Sequence, residues 1–391
     1  MAGLPSIAVV HPRLAEGGGS EASALWMLEA LQDEGRLTLI TMGRPDFGAL
    51  NRAYGTAVDD RKIDCRTLPV PAGTARRFDA LRSWRLTRFC RRHASDFDVM
   101  ISAYNVMDFG RPGIQRIGDF SFDDRLRRSL YPSRGASGRL FYHGSPWRSA
   151  YLGFARLLSG TRRSGWMRNL TIANSRWTRD LLRKRFDLDS VVIYPPALPG
   201  PSPVPWEERE DAFVVMGRIS PEKGLETAIA ILDGVREHHD VHLHILGKAG
   251  DGDYARRIGE LARARREWVF LEGGVYGPEK DALLGRHKYG LSGCRHEAFG
   301  IAVAEMVKSG CLVWVPGDGG QVEIVDHPDL VFADRESAVR AIVRVLGDPG
   351  RQGKLRRHLA GRAEAFSAAA FGRDLRRVVR NFLDRRGPCL S

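Results

Sequence analysis

The stretch C-R-H-E-A-F-G-I-A-V-A-E-M-V-K-S-G, Cys294 to Gly310, decides how this chain is read. It holds two glutamates, Glu297 and Glu305, with seven residues between them. Glu297 falls in a loop after the short apolar run Tyr289 to Leu291. Phe299 and Gly300 then open a helix whose apolar face is Ile301, Met306 and Val307, and Gly310 closes it as the C′ residue. Ala302 and Ala304 allow that helix to pack closely. Its first-turn N–H groups have no acceptor within the helix, so a start at Phe299, Gly300 and Ile301 is a ready site for phosphate.

One nucleotide sugar would touch all three features: its sugar hydroxyls at Glu297, its diphosphate at the helix start and its ribose at Glu305. Taken alone, two glutamates at this spacing equally describe a solvated helix face. The rest of the chain has to separate the two readings.

At 391 residues the chain accommodates two domains, each with its own core. A hydrophobic fraction of 43% with 27% charged residues is ordinary for a soluble globular protein. No apolar run approaches the ~20 residues that span a bilayer. The first residues lack a basic n-region, so no signal peptide is expected and the localisation read is cytoplasmic. The five cysteines, Cys65, Cys90, Cys294, Cys311 and Cys389, are scattered and contain no C-x-x-C pair. That fits reduced thiols, with neither a disulfide framework nor a zinc site.

The formal net charge is +13, and it is unevenly placed. Residues 1–200 carry 31 Lys and Arg against 19 Asp and Glu, whereas residues 201–391 carry 29 against 28. A basic first half attracts phosphate-rich partners, among them anionic lipid headgroups and phosphorylated acceptors. Nucleic acid is not expected, because no recognition motif or aromatic platform accompanies the arginines.

In chain order, Ile7–Val10 reads as a buried strand that runs into His11-Pro12 and the glycine loop Gly17, Gly18, Gly19. Ser20 is the expected N-cap of a helix from Glu21 to about Glu34. The glycine loop suits a ligand phosphate or a structural turn, and it carries neither G-x-G-x-x-G nor G-K-[ST]. Strands follow at Leu37–Thr41 and Val99–Ala103. Between them, Arg76-Arg77 precedes Arg85, Arg88 and Arg92 at helical spacing, a basic amphipathic helix for a membrane surface or a solvated face. Arg156–Arg168, with Phe154, Leu157, Leu158 and Trp166, is a second candidate interfacial patch.

Asn169–Ala173 is again a strand, Asn174-Ser175 caps a helix to about Arg185, and Val191–Tyr194 ends this half. Residues 199–211, proline-rich and then acidic, read as a linker between a domain of residues 1–198 and one of residues 212–370. The second series alternates Phe213–Met216, a loop 217–224, the helix Leu225–Arg236, Val241–Leu246, Trp268–Leu271, Pro278–Leu284 and Leu312–Val315. Helices dominate from Arg335. Two strand–helix alternations imply an α/β protein of two doubly wound, Rossmann-like domains facing a cleft.

Three loops of the second half fall at the carboxyl ends of expected strands, where such sheets bind ligands. They offer Arg218 and Lys223, then Glu297 with the helix start, then Gly319–Gly320 with Glu323. Two cations beside a helix N-terminus can hold a diphosphate and stabilise it as it leaves, with no metal in the step.

Here the sequence resembles the family 4 glycosyltransferases, retaining enzymes of the GT-B fold. The resemblance rests on G-R-I-S-P-E-K-G (217–224), E-A-F-G-I-A-V-A-E (297–305) and P-G-D-G-G-Q-V-E-I-V (316–325). H-P-x4-G-G-G-x-E near the start and N-S-R-W-T ahead of Y-P-P extend it over most of the chain. It implies transfer of a hexose, of mannose or glucose type, from a nucleotide diphosphate sugar in cell-surface glycan or glycolipid assembly. It implies no cofactor besides the donor substrate, and a glycan, lipid-linked or phosphorylated acceptor.

By position, the resemblance assigns Arg218 and Lys223 to the donor diphosphate, Glu297 to the donor sugar beside Phe299 and Gly300, and Glu305 to the ribose. Gly17, Gly18 and Gly19 would approach the phosphate across the cleft, and the base would lie by Val275 and Tyr276. The last helix, Phe371–Leu383 within residues 371–391, would return to the first domain. One departure concerns the family's histidine after the fourth strand, because this chain reads I-Q-R-I-G-D-F-S there. Gly118 or Asp119 takes its place, so Asp119 joins the candidates, with His143 as an outside substitute. An aspartate accepts a hydroxyl proton but cannot donate as an imidazolium would. The alternative reading keeps the fold without transfer, as a sugar-nucleotide epimerase or a non-catalytic partner of a glycosyltransferase.

Other acidic and histidine groups read as structural. Asp251-Gly252-Asp253 fits a turn and N-cap better than a metal-binding D-x-D. His238, His239, His242 and His244 read as residues alternating on a strand edge without carboxylate partners, so no metal is expected there.

Overall fold

The structure, a computed structural model, describes residues 4–14, 18–69, 79–131, 162–198, 204–250 and 252–385, with the side chains of 79–82 set aside. Gly17, Arg76, Arg77, Arg156, Phe154, Leu157, Leu158, His143, Asp251 and Cys389 lie outside these residues. The chain divides into two compact units. Unit 1 is Met1–Tyr194 with Phe371–Ser391, and unit 2 is Pro195–Ala370.

Unit 1 is built on seven strands: β1 (Ser6–Val10), β2 (Arg36–Thr41), β3 (Ile63–Thr67), β4 (Val99–Ser102), β5 (Ile114–Ile117), β6 (Leu170–Ala173) and β7 (Val191–Val192). Their order is β3-β2-β1-β4-β5-β6-β7, all parallel. The central strands are buried along their length, as parallel strands covered on both faces must be. The helices are α1 (Gly19–Leu31), α2 (Phe47–Tyr54), α3 (Asp79–Arg92), α4 (Asp124–Leu130), α5 (Arg163–Met167) and α6 (Arg176–Phe186).

Several expectations are corrected here. The N-cap of α1 is Gly18 with no side-chain cap, and Ser20 lies inside the helix with its hydroxyl on Glu21. Neither α2 nor β3 was expected. Only Leu50 of α2 is buried, and β3 is a half-exposed edge strand, so neither leaves a strong apolar period. Strand β7 has shrunk to two residues. Trp166 does not face an interface: it is buried with its ring against Phe122 and Phe186. In α3, Arg88 and Arg92 are exposed, whereas Leu86 and Cys90 pack with Phe97, Met100 and Phe109 in the core. Arg91 turns inward to Asp108 at 2.5 Å.

Unit 2 carries β8 (Glu210–Met216), β9 (His242–Leu246), β10 (Val269–Gly273), β11 (His287–Leu291), β12 (Leu312–Pro316) and β13 (Val331–Phe332). The order is β10-β9-β8-β11-β12-β13, again all parallel. Its helices are α7 (Leu225–Val235), α8 (Asp253–Arg263), α9 (Gly277–Arg286), α10 (Ile301–Lys308), α11 (Val322–Val325), α12 (Arg335–Leu346) and α13 (Pro349–Ala363). The rings of Phe213, Tyr289 and Trp314 meet across the three central strands at 5.0–6.0 Å. Residues 204–211 are not a free tether: Arg209 is buried, its Nε donates to the Val204 carbonyl at 2.8 Å, and β8 starts at Glu210.

A last helix, α14 (Ala368–Asp384), runs into unit 1 from Phe371 on, where Arg380 grips Glu34 at 2.7 Å. In each sheet the first strand pairs with the second on one side and the fourth on the other. This reversal is the topological switch point, whose carboxyl edge is the general ligand position of open α/β sheets.

Candidate donor-binding site

The switch point of unit 2 lies between β8 and β11, and the loops that follow those strands meet there. They meet backbone to backbone. Gly224, at φ +62°, and Gly293 face each other so closely that a Cβ on either would overlap the other's carbonyl. No residue with a side chain fits at that contact. Gly319, at φ +114°, lies against the Glu297 backbone, and the Gly320 N–H donates to the Glu297 carbonyl at 2.8 Å. Gln321, fully buried, donates from Nε2 to the Cys294 carbonyl at 2.5 Å. The three motif loops therefore form one rigid edge.

On that edge Lys223 Nζ sits 2.5 Å from Glu297 Oε2, with both side chains about three-quarters buried. Burial pushes Lys223 down and Glu297 up, but each is carried past its ordinary value by the other's charge and hydrogen bond. Lys223 ends raised and Glu297 lowered, with the Cys294 thiol and the Arg218 charge helping to hold Glu297 ionised. Burial pushes Cys294 itself up to about 12, so it stays a thiol. Arg218 extends into solvent, three-quarters exposed, with Glu222 at 3.3 Å.

Helix α10 begins at Ile301 after Gly300, whose φ of +101° turns the chain into the helix without a side-chain cap. Ile301 is half-buried, and the buried face is Val303, Ala304, Met306 and Val307, so Ile301 leaves the expected apolar stripe. Gly310 closes the end at φ +85°. Glu305, four residues into α10, is bound by Lys280 of α9 at 2.8 Å, both groups six-sevenths buried. Tyr276, exposed at the start of α9, has the Lys248 ammonium 5.3 Å above its ring.

Lys248, Lys280 and His296, which approaches Asp318 to 3.0 Å, went unread in the sequence. Each stands outside the quoted motifs or takes its meaning from a partner on another loop. The edge thus combines Arg218, Lys223, Glu297, Phe299, Gly300, Ile301, Glu305, Val275 and Tyr276 on the carboxyl side of one sheet.

Unit 1 holds the remaining candidates. Gly18 and Gly19 open α1, where the Gly18 N–H already donates to the Tyr54 hydroxyl at 3.0 Å and the Glu21 carboxylate lies over Gly18. Asp119 follows β5 and is exposed, with Asn105 Nδ2 donating to it at 2.7 Å and the Ser121 N–H at 2.9 Å. Two neighbours of that region were missed. Arg116 of β5 is buried, and His11 at the end of β1 is 3% exposed. Burial drives His11 down to about 4, with Arg116 adding to the effect.

Comparison with solved structures covers nearly the whole chain. A sucrose-phosphate synthase from Thermosynechococcus elongatus superposes with a TM-score of 0.69 over 97% of this chain and 99% of its own, at 17% identity. WaaG, a glycosyltransferase involved in lipopolysaccharide biosynthesis, gives 0.67 over 95% and 99%, at 14% identity. The fold is that of the GT-B glycosyltransferases. Anabaena HepE, solved in complex with UDP and glucose, gives 0.66 over 96% and 99%, at 16% identity.

In sequence, residues 202–366 match the family model of glycosyl transferases group 1, a segment that lies within unit 2 of this GT-B chain. An uncharacterised glycosyltransferase of Methanocaldococcus jannaschii is 29% identical over 121 residues, 31% of this chain and 31% of that one. A Dictyostelium discoideum GDP-Man:Man(3)GlcNAc(2)-PP-Dol alpha-1,2-mannosyltransferase is 25% identical over 186 residues, 42% and 37% of the two lengths. The chain spans about a third of the length of these curated relatives.

Proposed function

We propose that the protein is a retaining glycosyltransferase of family 4. It moves a hexose of glucose or mannose type from a nucleotide diphosphate sugar to an acceptor hydroxyl, in cell-surface glycan or glycolipid assembly. The observation that carries this reading is the Lys223–Glu297 pair, 2.5 Å apart at the switch point beside the start of α10. A donor diphosphate is an anion that can replace Glu297 on Lys223, with Arg218 and the α10 N–H groups as further partners. Glu297, released, accepts hydrogen bonds from the sugar hydroxyls, and Glu305 receives the ribose beside a base stacked near Val275 and Tyr276. Gly18, Gly19 and Asp119 of unit 1 are assigned to the phosphate and to a sugar or acceptor hydroxyl.

In a retaining reaction of this kind the acceptor hydroxyl attacks the anomeric carbon from the leaving-group face. The carbon–oxygen bond to the diphosphate breaks, and the departing phosphate oxygen takes the hydroxyl proton. No protein nucleophile is needed. The charge that grows on the leaving diphosphate meets Lys223 and Arg218, the main electrostatic contribution and one that needs no metal in the step. The same intact set, Arg218, Lys223, Glu297 and Glu305, distinguishes this reading from that of a non-catalytic partner.

The test is thermal-shift binding with UDP-, GDP- and ADP-sugars and the free nucleotides, because selective binding raises Tm by mass action. A shift with one donor class that disappears in Lys223→Ala supports the assignment. No shift with any of them returns the chain to the non-catalytic reading. The exposed arginines of α3 and α4 support an acceptor that is lipid-linked or phosphorylated and a peripheral position on the inner face of the cytoplasmic membrane. Among the described residues no helix is long and apolar enough to cross a membrane. Liposome co-sedimentation that rises with anionic lipid content is the expected outcome, and insensitivity to that content would refute it.

A further inference from the structure

At the opposite, amino-terminal edge of the unit 2 sheet, four side chains converge: Glu210 at the start of β8, His242 and His244 of β9, and His287 at the start of β11. One nitrogen of each imidazole and one carboxylate oxygen of Glu210 all lie within 4.8 Å of one another. His242 Nε2 is 3.1 Å from Glu210 Oε2, and His287 Nε2 is 3.7 Å from the same oxygen. From sequence alone, His242 and His244 read as strand-edge residues without carboxylate partners. Parallel pairing supplies them, because His287 is in register with Glu210 and His242 with Ala212, two residues along β8.

The outer contacts fix how these rings point. His287 is 1% exposed, and its Nδ1–H donates to the Leu283 carbonyl at 2.5 Å, which leaves an Nε2 lone pair aimed at the cluster. His244 Nδ1 is 2.6 Å from Glu272 Oε1, the carboxylate–histidine arrangement that orients metal-bound imidazoles. Both His244 Nε2 and His287 Nε2 are buried and have no hydrogen-bond partner among the described residues. Two buried lone pairs facing one carboxylate need an explanation, and no donor among the described residues satisfies them. A cation at their centre satisfies all of them at once.

We propose that Glu210, His242, His244 and His287 bind one Zn²⁺ that ties β8, β9 and β11 together. Three imidazoles and one carboxylate suit zinc, whereas magnesium and calcium favour all-oxygen shells. Tetrahedral bonds of about 2.0–2.1 Å set ligand atoms some 3.4 Å apart, so the cluster closes by rotamer adjustments of about an ångström. All four positions come from the protein, the mark of a structural site with no open position for a substrate. The ion lies the length of β8 away from the donor loops, about 20 Å for its seven residues. It is therefore independent of the proposed transfer chemistry.

The experiment strips the full-length chain with a chelator, titrates it with Zn²⁺, and follows bound metal and Tm. One zinc per chain with a rise in Tm is expected, and Co²⁺ in its place gives the intense visible absorption of a tetrahedral site. His287 is a core residue whose replacement risks unfolding, so the informative variants are His242→Ala and Glu210→Gln at the half-exposed rim. Each should weaken zinc binding by more than about 100-fold, and Glu272→Gln by about 10- to 100-fold, the loss typical of an outer partner. Zinc affinity unchanged in these variants, or no stoichiometric binding by the natural chain, overturns the proposal. Nucleotide binding at the far edge should be the same in His242→Ala as in the natural chain, which keeps this test separate from that of the transferase.

Discussion

In unit 2, Lys223 and Lys280 at the carboxyl edge each rest on a carboxylate, Lys223 on Glu297 at 2.5 Å and Lys280 on Glu305 at 2.8 Å. In unit 1 the buried Arg116 of β5 makes no ion pair among the described residues, and its pKa falls to about 10 through burial, which Asp119 only partly opposes. The difference separates two ways of keeping a cation inside a protein. A paired cation holds its charge and can exchange its partner for an anionic ligand at little net cost. An unpaired one is carried at the expense of stability.

The largest effect should come from breaking the paired side. Lys223→Ala and Glu297→Ala should each lower turnover by about 10²–10³-fold, the range for loss of one group that stabilises a leaving charge. Circular dichroism should show both variants folded, and near-normal steady-state rates in either would dismiss the pair as catalytic.

Next in size is a pH effect from the unpaired side. His11 is held near 4 in the folded chain against an ordinary 6.5. Its contribution is complete above 6.5. As pH falls from 6.5 to 4 the unfolded chain takes up a proton that the folded chain refuses, and stability declines by about 3 kcal/mol. Glu297 acts lower down: its depressed value gives stability that is present above the ordinary 4.5 and lost as pH falls through the folded value. Urea melts across pH 4–7 should show the first decline, to which the buried His287 also contributes, and His11→Gln should reduce it without touching the second.

A smaller change tests the glycine contact beneath the pair. Gly293→Ala must push the Gly224 carbonyl away, which should cost about 1–3 kcal/mol and weaken nucleotide binding together with Tm. Loss of stability with full binding would show that the two loops move independently. The smallest effect is expected at Arg116. Replacing it by Met removes an unpaired buried charge and should leave Tm unchanged or raise it by about 2–4 °C, roughly 1 kcal/mol for a unit of this size. A marked fall in Tm would mean that Arg116 is paired after all, and would erase the contrast between the units.

The legibility of the sequence follows the same division. The loops 217–224 and 297–305 could be read because each is a contiguous run between a buried strand and an amphipathic helix. Strand β3 and helix α2 were missed because only Ile63 and Leu50 in them are buried, so their apolar period is faint. Trp166 was misread as interfacial because an aromatic among arginines looks the same in sequence whether its ring meets a membrane or Phe186.

By itself the sequence determined the α/β class, the two-part organisation and the motif loops, because strand burial, helix period and glycine placement are local properties. Only the tertiary structure decided which charges meet. Lys223 reaches Glu297 across 74 residues, and His287 reaches Glu210 across the register of two parallel strands. The physical reason is that Coulomb and ligand bonds act over a few ångströms, a distance set by strand order and register, which a single strand's composition does not encode.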